Sequence, residues 1–442
     1  MRIHLQHVTR IEGHAHLVVD AEGGEIRECR LEVVESPRFF EALLRGKHFT
    51  DVAPIAARIC GVCCHSHTLA SLAATEAALG VEVTEQTLRL RRLLAYGETL
   101  QSHLLHLYFL AAPDYLGMSS LLPQAPSSLL PLAASRRELV TRALRMKKVG
   151  NDLCRAVGGR AVHPVTACVG GFSALPEAGV LQDLRRRLAG MLPDLEATVA
   201  LFASFPLPTF QRPAESVCLG GVPGYPLLGG ELVSSAGVTA PVASYQSLVQ
   251  EYTVPWSTAK LARTARGPYE VGPLARIRNA FGALSPLAAR AAQALGLTAN
   301  TDNPYRALHA RLVEAVHGTE QAIHAIDTLL AQGLSHEPPG EPAAGAGGRG
   351  VGAVEAPRGV LFHAYVYDER GRVEHAECVI PTAQNLGRIE ADLRALAPAL
   401  AGLPPEEIAR RLEMLLRAYD PCISCATHLV RVKLAETPGP CP

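Results

Sequence analysis

The order of apolar and polar residues along the chain predicts a mainly helical protein with small peripheral β-sheets, an α+β fold. Residues 1–35 alternate in polarity around Gly23-Gly24, which indicates a β-hairpin. Two alternating runs at residues 360–368 and 372–379, separated by a turn, predict a second hairpin. Apolar residues elsewhere recur with the period of an α-helix. The predicted helical segments are residues 39–44, 54–78, 87–112, 134–157, 177–205, 303–334, 385–396 and 405–418.

We predict that residues 1–442 form a single unit built from successive segments. Residues 206–282 are rich in Gly, Pro and Ser, and this composition predicts short strands and loops. Residues 337–353 are rich in Pro, Gly and Ala, which is typical of a flexible linker. The segments are 1–35 (hairpin region), 36–205 (helical, with the first Cys-x-x-Cys), 206–282 (irregular or β), 283–336 (helical), 337–384 (Gly-rich loop and hairpin), 385–428 (C-terminal helices with the second Cys-x-x-Cys) and 429–442 (tail).

The composition is that of a folded protein, because 48% of the 442 residues are hydrophobic and 19% are charged. The mean hydropathy of +0.13 is high for a chain that stands alone in water. Two explanations are open: a large helical core rich in Ala and Leu, or a broad face buried against another subunit. The formal net charge of +0, from 42 basic and 42 acidic residues, gives no electrostatic reason to expect nucleic acid or an anionic membrane surface as a partner.

The sequence shows no pattern typical of export or of direct membrane insertion. Its first residues lack the basic and apolar segments of a secretory signal. The most apolar stretches, residues 104–113 and 121–134, are too short or too interrupted to span a bilayer. The 11 cysteines, an odd number, argue against a disulfide framework and for a reducing compartment, so we expect a cytoplasmic protein. Isolated cysteines are expected to be small core residues: Cys29, Cys154, Cys168, Cys218 and Cys441.

The candidate chemistry lies in two motifs, Cys60-Gly-Val-Cys63 and Cys422-Ile-Ser-Cys425. Two intervening residues allow both thiolates of such a motif to face one metal ion. Structural zinc sites usually close a local loop with cysteine pairs about 15–20 residues apart, whereas these pairs lie near opposite ends of the chain. The spacing therefore favours a buried metal between distant elements, and a four-cysteine zinc site or two unrelated Cys-x-x-Cys turns stay open as alternatives.

The residues around both motifs resemble the signatures of nickel–iron hydrogenase large subunits. Arg58 and His67 flank the first motif, and Asp420-Pro421 and His428 flank the second. The resemblance runs over essentially the whole chain and implies the large-subunit fold of that family, with long central helices around a buried metal site. The further matching segments are Arg10-Ile-Glu-Gly-His14, Gly159-Arg-x-x-His163-Pro, Glu355-Ala-Pro-Arg-Gly359 and Pro381-Thr-x-x-Asn385.

The resemblance implies a role for each of the four cysteines. Cys60 and Cys422 would be terminal ligands of nickel, and Cys63 and Cys425 would bridge nickel to an iron that carries carbon monoxide and cyanide. Soft thiolates suit both metals. The family splits dihydrogen heterolytically and reversibly, with the proton passing to a nearby base.

Further residues take roles from the same resemblance. Glu12 matches the proton-relay glutamate, and a carboxyl group within hydrogen-bond reach of a thiol can act in this way. Arg358 matches the arginine over the open metal site, held by Asp114 and Asp420. Pro357 and Thr382 would lie with Arg358 around the cyanide ligands. Taken without the resemblance, these residues also fit ordinary surface, turn or helix-capping positions.

A second metal is also implied, a magnesium or ferrous ion near the C-terminus. Its ligands would be Glu41, the backbone carbonyl of Cys378 and the imidazole of His428; hard oxygen ligands with water suit Mg²⁺. Two departures from the family pattern stand out. Cys64 follows Cys63 directly, and we expect it to be a bystander. In many members a maturation protease removes the segment after His428, which is still present in this sequence.

The resemblance implies a hydrogenase catalytic subunit of the cytoplasmic bidirectional branch, which couples hydrogen to NAD(P), a deazaflavin or another soluble carrier. Its partners would be a small subunit with iron–sulfur clusters and diaphorase or other electron-carrier subunits. The chain itself has no dinucleotide-binding glycine fingerprint, in keeping with this division. Two other classes stay open from sequence: a hydrogen sensor with little turnover and a zinc-stapled scaffold.

Overall fold

The computed structural model describes residues 2–22, 25–118 and 134–427, and within them the fold is mainly helical with small sheets, as predicted. The helices are α1 Phe40–Leu44, α2 Phe49–Ala56, α3 Cys64–Leu79, α4 Glu85–Leu105, α5 Ala112–Tyr115, α6 Ala134–Gly158, α7 Ala178–Gly190, α8 Leu192–Ala203, α9 Pro273–Ala280, α10 Pro286–Ala294, α11 Ala307–Gln332, α12 Pro381–Leu396, α13 Pro405–Tyr419 and α14 Ile423–Ala426.

The strands form three antiparallel three-stranded sheets, β1-β2-β3, β6-β7-β8 and β11-β12-β13, and two strand pairs, β4-β5 and β9-β10. Their bounds are β1 Arg2–Leu5, β2 Ala15–Glu22, β3 Glu25–Val33, β4 Ala167–Cys168, β5 Gly171–Phe172, β6 Val217–Gly220, β7 Glu231–Ser234, β8 Thr239–Pro241, β9 Gln250–Tyr252, β10 Leu261–Arg263, β11 Gly348–Ala356, β12 Gly359–Tyr367 and β13 Val373–Val379. Both predicted hairpins are therefore present, each with one additional strand.

The helical core packs around α3, of which almost every residue is buried. Helix α4 begins after its N-cap residue Thr84, whose hydroxyl accepts a hydrogen bond from the amide of Thr87. The chain continues helically beyond α4 through a π-helical segment, His106–Ala111, and then through α5. The predicted end of this helix before Pro113 was wrong, because Pro113 lies in the first turn of α5, where its missing N–H is not needed.

Two other predicted elements differ from the structure. The single helix expected over residues 177–205 is divided at Met191 into α7 and α8, with Pro193 in the first turn of the second helix. Helix α9 lies at the end of the segment that we expected to be strands and loops. Among the described residues, no helix is both long enough and apolar enough to cross a membrane.

The flexible-linker interpretation of residues 337–353 was wrong from Gly348 onward, where the chain forms β11. This strand lies directly on α3, and its glycines permit the contact. A Cβ atom at Gly350 would lie 2.1 Å from the Ala74 carbonyl oxygen, and one at Gly352 would lie 2.2 Å from the Ala70 carbonyl oxygen. Glycine is needed here because strand and helix backbones touch without side chains between them.

Candidate metal centre

The four predicted cysteines lie together in the protein interior. Their Sγ atoms are all within 4.8 Å of one another, and all four residues are buried. The Sγ–Sγ distance is 3.5 Å between Cys60 and Cys422, 3.3 Å between Cys63 and Cys425, and 2.8 Å between Cys422 and Cys425. The first cysteine of one motif thus faces the first cysteine of the other, and the second faces the second.

Three separate parts of the chain build this cluster. Cys60 and Cys63 lie in the turn that leads into α3, and Cys422 and Cys425 lie at the short helix α14. The N-terminal segment pairs with the second motif, since the Ile423 amide donates to the Glu12 carbonyl at 2.9 Å. Contacts between the thiols change their acidity. Hydrogen bonds from Cys422, Cys425 and Cys63 lower the pKa of the Cys60 thiol, whereas burial raises that of Cys425.

This donor set fits a soft metal centre, because four buried sulfurs lie within 4.8 Å of one another and thiolates are soft ligands. The first turn of α3 is fixed in place by Glu98, which the sequence did not single out. Its carboxylate accepts hydrogen bonds from the amides of His65 at 2.8 Å and Ser66 at 3.0 Å. These are donors that a helix N-terminus leaves unpaired.

Glu12 lies against the cluster rather than at the surface. The Cys422 thiol donates to Glu12 Oε2 over 3.1 Å. The same carboxylate accepts hydrogen bonds from the amide of Ser424, at 3.1 Å, and from the Ser424 hydroxyl. Ser424, one of the two residues between the cysteines of the second motif, therefore orients the carboxylate, and the sequence alone gave no indication of this contact.

Arg358 is buried beside the C-terminal end of α13. Its Nε donates to the Asp420 carbonyl oxygen at 2.8 Å, its Nη2 to Asp420 Oδ1 at 2.9 Å, and its Nη1 to Ser102 Oγ at 3.2 Å. Burial acts to lower the pKa of the Arg358 guanidinium. The negative charges of Asp420 and of the nearby cysteine sulfurs outweigh this effect, so the pKa is raised. Burial likewise acts to raise the pKa of Asp420, but the charges of Arg358, His106 and Arg311 lower it overall.

The predicted contact between Asp114 and Arg358 was wrong. Asp114 instead accepts two hydrogen bonds from Arg417, at 2.7 and 2.9 Å, and another from Arg10. The second partner of Arg358 is Ser102, twelve residues earlier on the same helical segment. A helix rises about 1.5 Å per residue, so Asp114 lies about 18 Å further along than Ser102.

Thr382 and Pro357 are buried near these groups. The Cys422 amide donates to Thr382 Oγ1 at 2.9 Å, so this hydroxyl fixes the backbone of one of the four clustered cysteines. The Pro357 carbonyl accepts a hydrogen bond from Arg276 at 3.2 Å. The expected proximity of both residues to cyanide ligands stays a prediction.

Two of the three residues predicted for the second metal site, Glu41 and Cys378, lie together. Glu41 Oε1 accepts a hydrogen bond from the Cys378 amide at 3.0 Å, so these two predicted residues meet. Lys260 Nζ, which was not expected, lies 3.3 Å from the same oxygen and 2.9 Å from Glu251. Burial acts to lower the pKa of Lys260, but the negative charges of Glu251 and Glu41 outweigh this effect, so the pKa of Lys260 is raised. His428 lies outside the described residues.

Comparison with known proteins agrees with this arrangement. The chain matches the family described as nickel-dependent hydrogenase over residues 38–162 and 235–428, and one described as HoxL-like over residues 2–36. The alpha subunit of sulfhydrogenase 1 of Pyrococcus furiosus is 34% identical over 434 residues, covering 97% of this chain and 98% of the relative. The beta subunit of the NAD-reducing hydrogenase HoxS of Cupriavidus necator is 30% identical over 469 residues, covering 95% and 93%.

Solved structures give the same result. An NAD⁺-reducing NiFe-hydrogenase in the H2-reduced state superposes with a TM-score of 0.84 at 28% identity, over 97% of this chain and 99% of the other. The Ni-Fe-Se hydrogenase of Desulfovibrio vulgaris Hildenborough in the reduced state gives a TM-score of 0.75 at 26% identity, over 97% and 100%.

The chain therefore belongs to the nickel-dependent hydrogenase family. The predictions of a hydrogenase large-subunit fold, of a catalytic hydrogenase subunit and of an oxidoreductase are confirmed. The predicted likeness to the branch that contains NAD-reducing enzymes is confirmed by the similarity to HoxS and to the NAD⁺-reducing structure.

Proposed function

We propose that Cys60, Cys63, Cys422 and Cys425 hold a nickel–iron centre, with Cys60 and Cys422 on nickel alone and Cys63 and Cys425 shared with iron. The face-to-face arrangement of first with first and second with second cysteines supports this division of roles. When bound, the group, with carbon monoxide and cyanide on its iron, supplies the heterolytic splitting of dihydrogen.

Glu12 receives the proton in this proposal. Its Oε2 atom already accepts a hydrogen bond from the Cys422 thiol at 3.1 Å, so a proton on that sulfur needs no side-chain rearrangement to reach the carboxylate. Ser424 keeps the carboxylate in this orientation through its amide and hydroxyl. One observation carries the proposal. Four buried sulfurs from opposite ends of the chain lie together, and the Glu12 carboxylate contacts one of them, Cys422.

Arg358 supplies a fixed positive charge beside the sulfurs. Asp420 and Ser102 together bind its Nε and both of its terminal nitrogens, which prevents the guanidinium from turning away. We propose that Arg358, Pro357 and Thr382 surround the cyanide ligands. The Thr382 hydroxyl oxygen accepts a hydrogen bond from the Cys422 amide, so its O–H remains available as a donor toward the proposed cyanide ligands.

We also propose that a magnesium ion, or a ferrous ion, binds near Glu41, the Cys378 carbonyl and His428. The meeting of Glu41 with Cys378 supports the site. Lys260 is a competing cation for the Glu41 carboxylate. Metal analysis of the native complex should therefore find magnesium or excess iron, and the Glu41→Gln variant should lose it while retaining nickel.

The electrons require a partner, and we propose a small subunit with iron–sulfur clusters. The first cysteine motif reaches the surface at Gly61, so a cluster outside this chain can approach the sulfurs there. Two exposed apolar side chains, Val162 and Val165, lie beside His163, whose amide donates to Cys64 Sγ at 3.0 Å, and they favour a protein contact near this motif. The HoxS relative is named an NAD-reducing hydrogenase, which supports an additional diaphorase or other electron-carrier subunit. We propose a cytoplasmic location as well. We also propose that a maturation protease removes residues 429–442.

Infrared spectroscopy of the native complex tests the centre. Bands of iron-bound carbon monoxide and cyanide are expected together with nickel and iron, and zinc without either metal would refute the proposal. Dye-linked hydrogen oxidation separates the enzyme from a sensor, since negligible turnover in fully metallated complex would favour a sensor.

Glu12→Gln tests the proton role. This variant should retain the infrared bands but lose hydrogen turnover by about 100-fold or more, because the proton acceptor beside Cys422 is gone. Glu28→Gln, a change in the exposed ion pair with Arg30, is the matched control and should have wild-type turnover. Equal turnover of Glu12→Gln and the control would refute the role of Glu12.

A further inference from the structure

A second group of potential metal ligands lies where α3 meets α4. Cys64 and His65 are the first two residues of α3, and Glu98 lies on α4. One ligand atom from each residue lies within 4.8 Å of the other two, and all three residues are buried. Among the described residues, only this group and the four clustered cysteines bring three or more such side chains so close together. The proposed function does not use Cys64, the cysteine that departs from the family pattern.

The separations between these atoms fit ligands that share one metal ion. His65 Nδ1 lies 3.3 Å from Glu98 Oε1 and 3.5 Å from Cys64 Sγ. Charge-assisted N–H···O hydrogen bonds are about 2.7–2.9 Å long, so the nitrogen–oxygen separation is long for a direct ion pair. Ligands of one tetrahedral zinc ion lie about 3.4 Å apart for nitrogen and oxygen and about 3.6 Å apart for sulfur and nitrogen, when the bond lengths are about 2.0–2.3 Å. A single ion therefore fits between the three side chains.

Backbone hydrogen bonds hold the sulfur and the carboxylate of this group in place. The amide of His163, from a separate loop, donates to Cys64 Sγ at 3.0 Å. The amides of His65 and Ser66 donate to the two oxygens of Glu98, at 2.8 and 3.0 Å. Contacts of this kind behind the ligands of a metal ion fix their orientation, so both an inner set of ligands and its outer supports are present.

We propose that Cys64, His65 and Glu98 bind a structural zinc ion that is separate from the four-sulfur cluster. One thiolate, one imidazole and one carboxylate are ligands that zinc takes in proteins, and a water molecule completes the usual four. The ion joins the first turn of α3 to α4 and thereby holds Cys63, the residue before Cys64, against the helical core. This inference goes beyond the proposed function and does not depend on which metals the four clustered cysteines bind.

Cys154 offers a matched control. It is buried like Cys64 and also contacts His65, but it does not belong to the group of three ligands. Serine is close to cysteine in size and keeps a hydrogen-bonding group at each position, toward the His163 amide in Cys64→Ser and toward the Leu94 carbonyl in Cys154→Ser. Only the change at Cys64 removes a sulfur ligand from the proposed ion.

The test is metal analysis of the native complex as wild type, Cys64→Ser, Glu98→Gln and Cys154→Ser. The wild type and Cys154→Ser should contain one zinc ion per chain more than Cys64→Ser and Glu98→Gln, and all four should retain nickel. The difference in zinc X-ray absorption between the wild type and Cys64→Ser should show one sulfur at about 2.3 Å with nitrogen and oxygen at about 2.0–2.2 Å.

Equal zinc content in Cys64→Ser and Cys154→Ser, or no zinc in the wild type, would overturn the inference in favour of a metal-free ion pair between His65 and Glu98. Loss of nickel from Cys64→Ser, or four sulfurs in the difference spectrum, would also overturn it. If Glu98→Gln fails to assemble, the two serine variants decide. Absence of the infrared bands from a wild type that shows the zinc difference would refute the proposed function alone.

Discussion

Replacement of Gly352 by alanine should force β11 and α3 apart. A Cβ atom at this position would lie 2.2 Å from the Ala70 carbonyl oxygen and 2.4 Å from the Ala74 amide nitrogen. Favourable contacts begin at about 3.5 Å, so strand and helix must separate by about 1 Å. Both atoms belong to the backbone of α3, so no flexible side chain can give way. Overpacking costs about 1–3 kcal/mol, and we expect the upper end here, about 3 kcal/mol.

The displacement should also reach the metal site, because α3 begins immediately after Cys63. A shift of about 1 Å in a catalytic arrangement can lower turnover about 100-fold. We therefore expect Gly352→Ala to lower both the urea midpoint of unfolding and hydrogen turnover of the purified complex. Gly179→Ala is the control, since a Cβ atom at Gly179 meets open space and the backbone there is in an ordinary conformation. Wild-type midpoint and turnover in Gly352→Ala would refute the reasoning.

Three further predictions concern buried groups. Arg276→Met leaves two buried carboxylates without their cation and should lower the free energy of unfolding in urea by about 3–5 kcal/mol. Arg185→Met removes only an exposed ion pair and should leave the urea midpoint close to that of the wild type. Burial, together with the neighbouring Arg306, lowers the pKa of His309 from 6.5 to about 4. As the pH falls, this histidine is therefore protonated in the unfolded chain before it is protonated in the folded protein. The free energy of unfolding should consequently decrease between pH 6.5 and about pH 4. In a pH series of unfolding measurements, His309→Gln should remove up to about 3 kcal/mol of this drop. Cys64→Ala should retain its nickel by metal analysis, because Cys64 lies outside the four-sulfur cluster, whereas Cys63→Ala should lose it.

Each of these has a contrary outcome. Similar unfolding free energies for the two arginine variants would show that the buried cluster does not need its cation. A pH slope unchanged by His309→Gln would mean that another group causes the acid sensitivity. Loss of nickel from Cys64→Ala would place this sulfur among the ligands.

The sequence predicted most helices and both hairpins, because their periodicity is local and their turns carry Gly and Pro. It also identified the four cysteines that the structure brings together. It could not predict Ser102 as a partner of Arg358, because that contact joins residues 256 positions apart. Asp114 was assigned to Arg358 from the family resemblance, whereas the rise of the continuous helix carries it to Arg417.

The same limit applies to Glu98, Ser424 and Lys260, ordinary polar residues whose roles depend on which distant backbone or carboxylate they meet. Gly350 and Gly352 were misread for a different reason. A glycine-rich composition is shared by flexible linkers and by strands that touch another backbone, and only the packing of α3 against β11 separates the two.

The division of the cysteine cluster between distant parts of the chain determines the order of events during biosynthesis. Cys63 leaves the ribosome long before Cys425, and at about 5–20 residues per second the delay is roughly 20–70 s. Throughout that interval the first pair of thiols lacks the two sulfurs of the second motif. The second pair takes its place only when Ile423 pairs with Glu12 and the Cys422 amide reaches Thr382. On the proposed assignment of the four cysteines, metal loading is a late step of biosynthesis, because the four-sulfur site is complete only after Cys425 has been made.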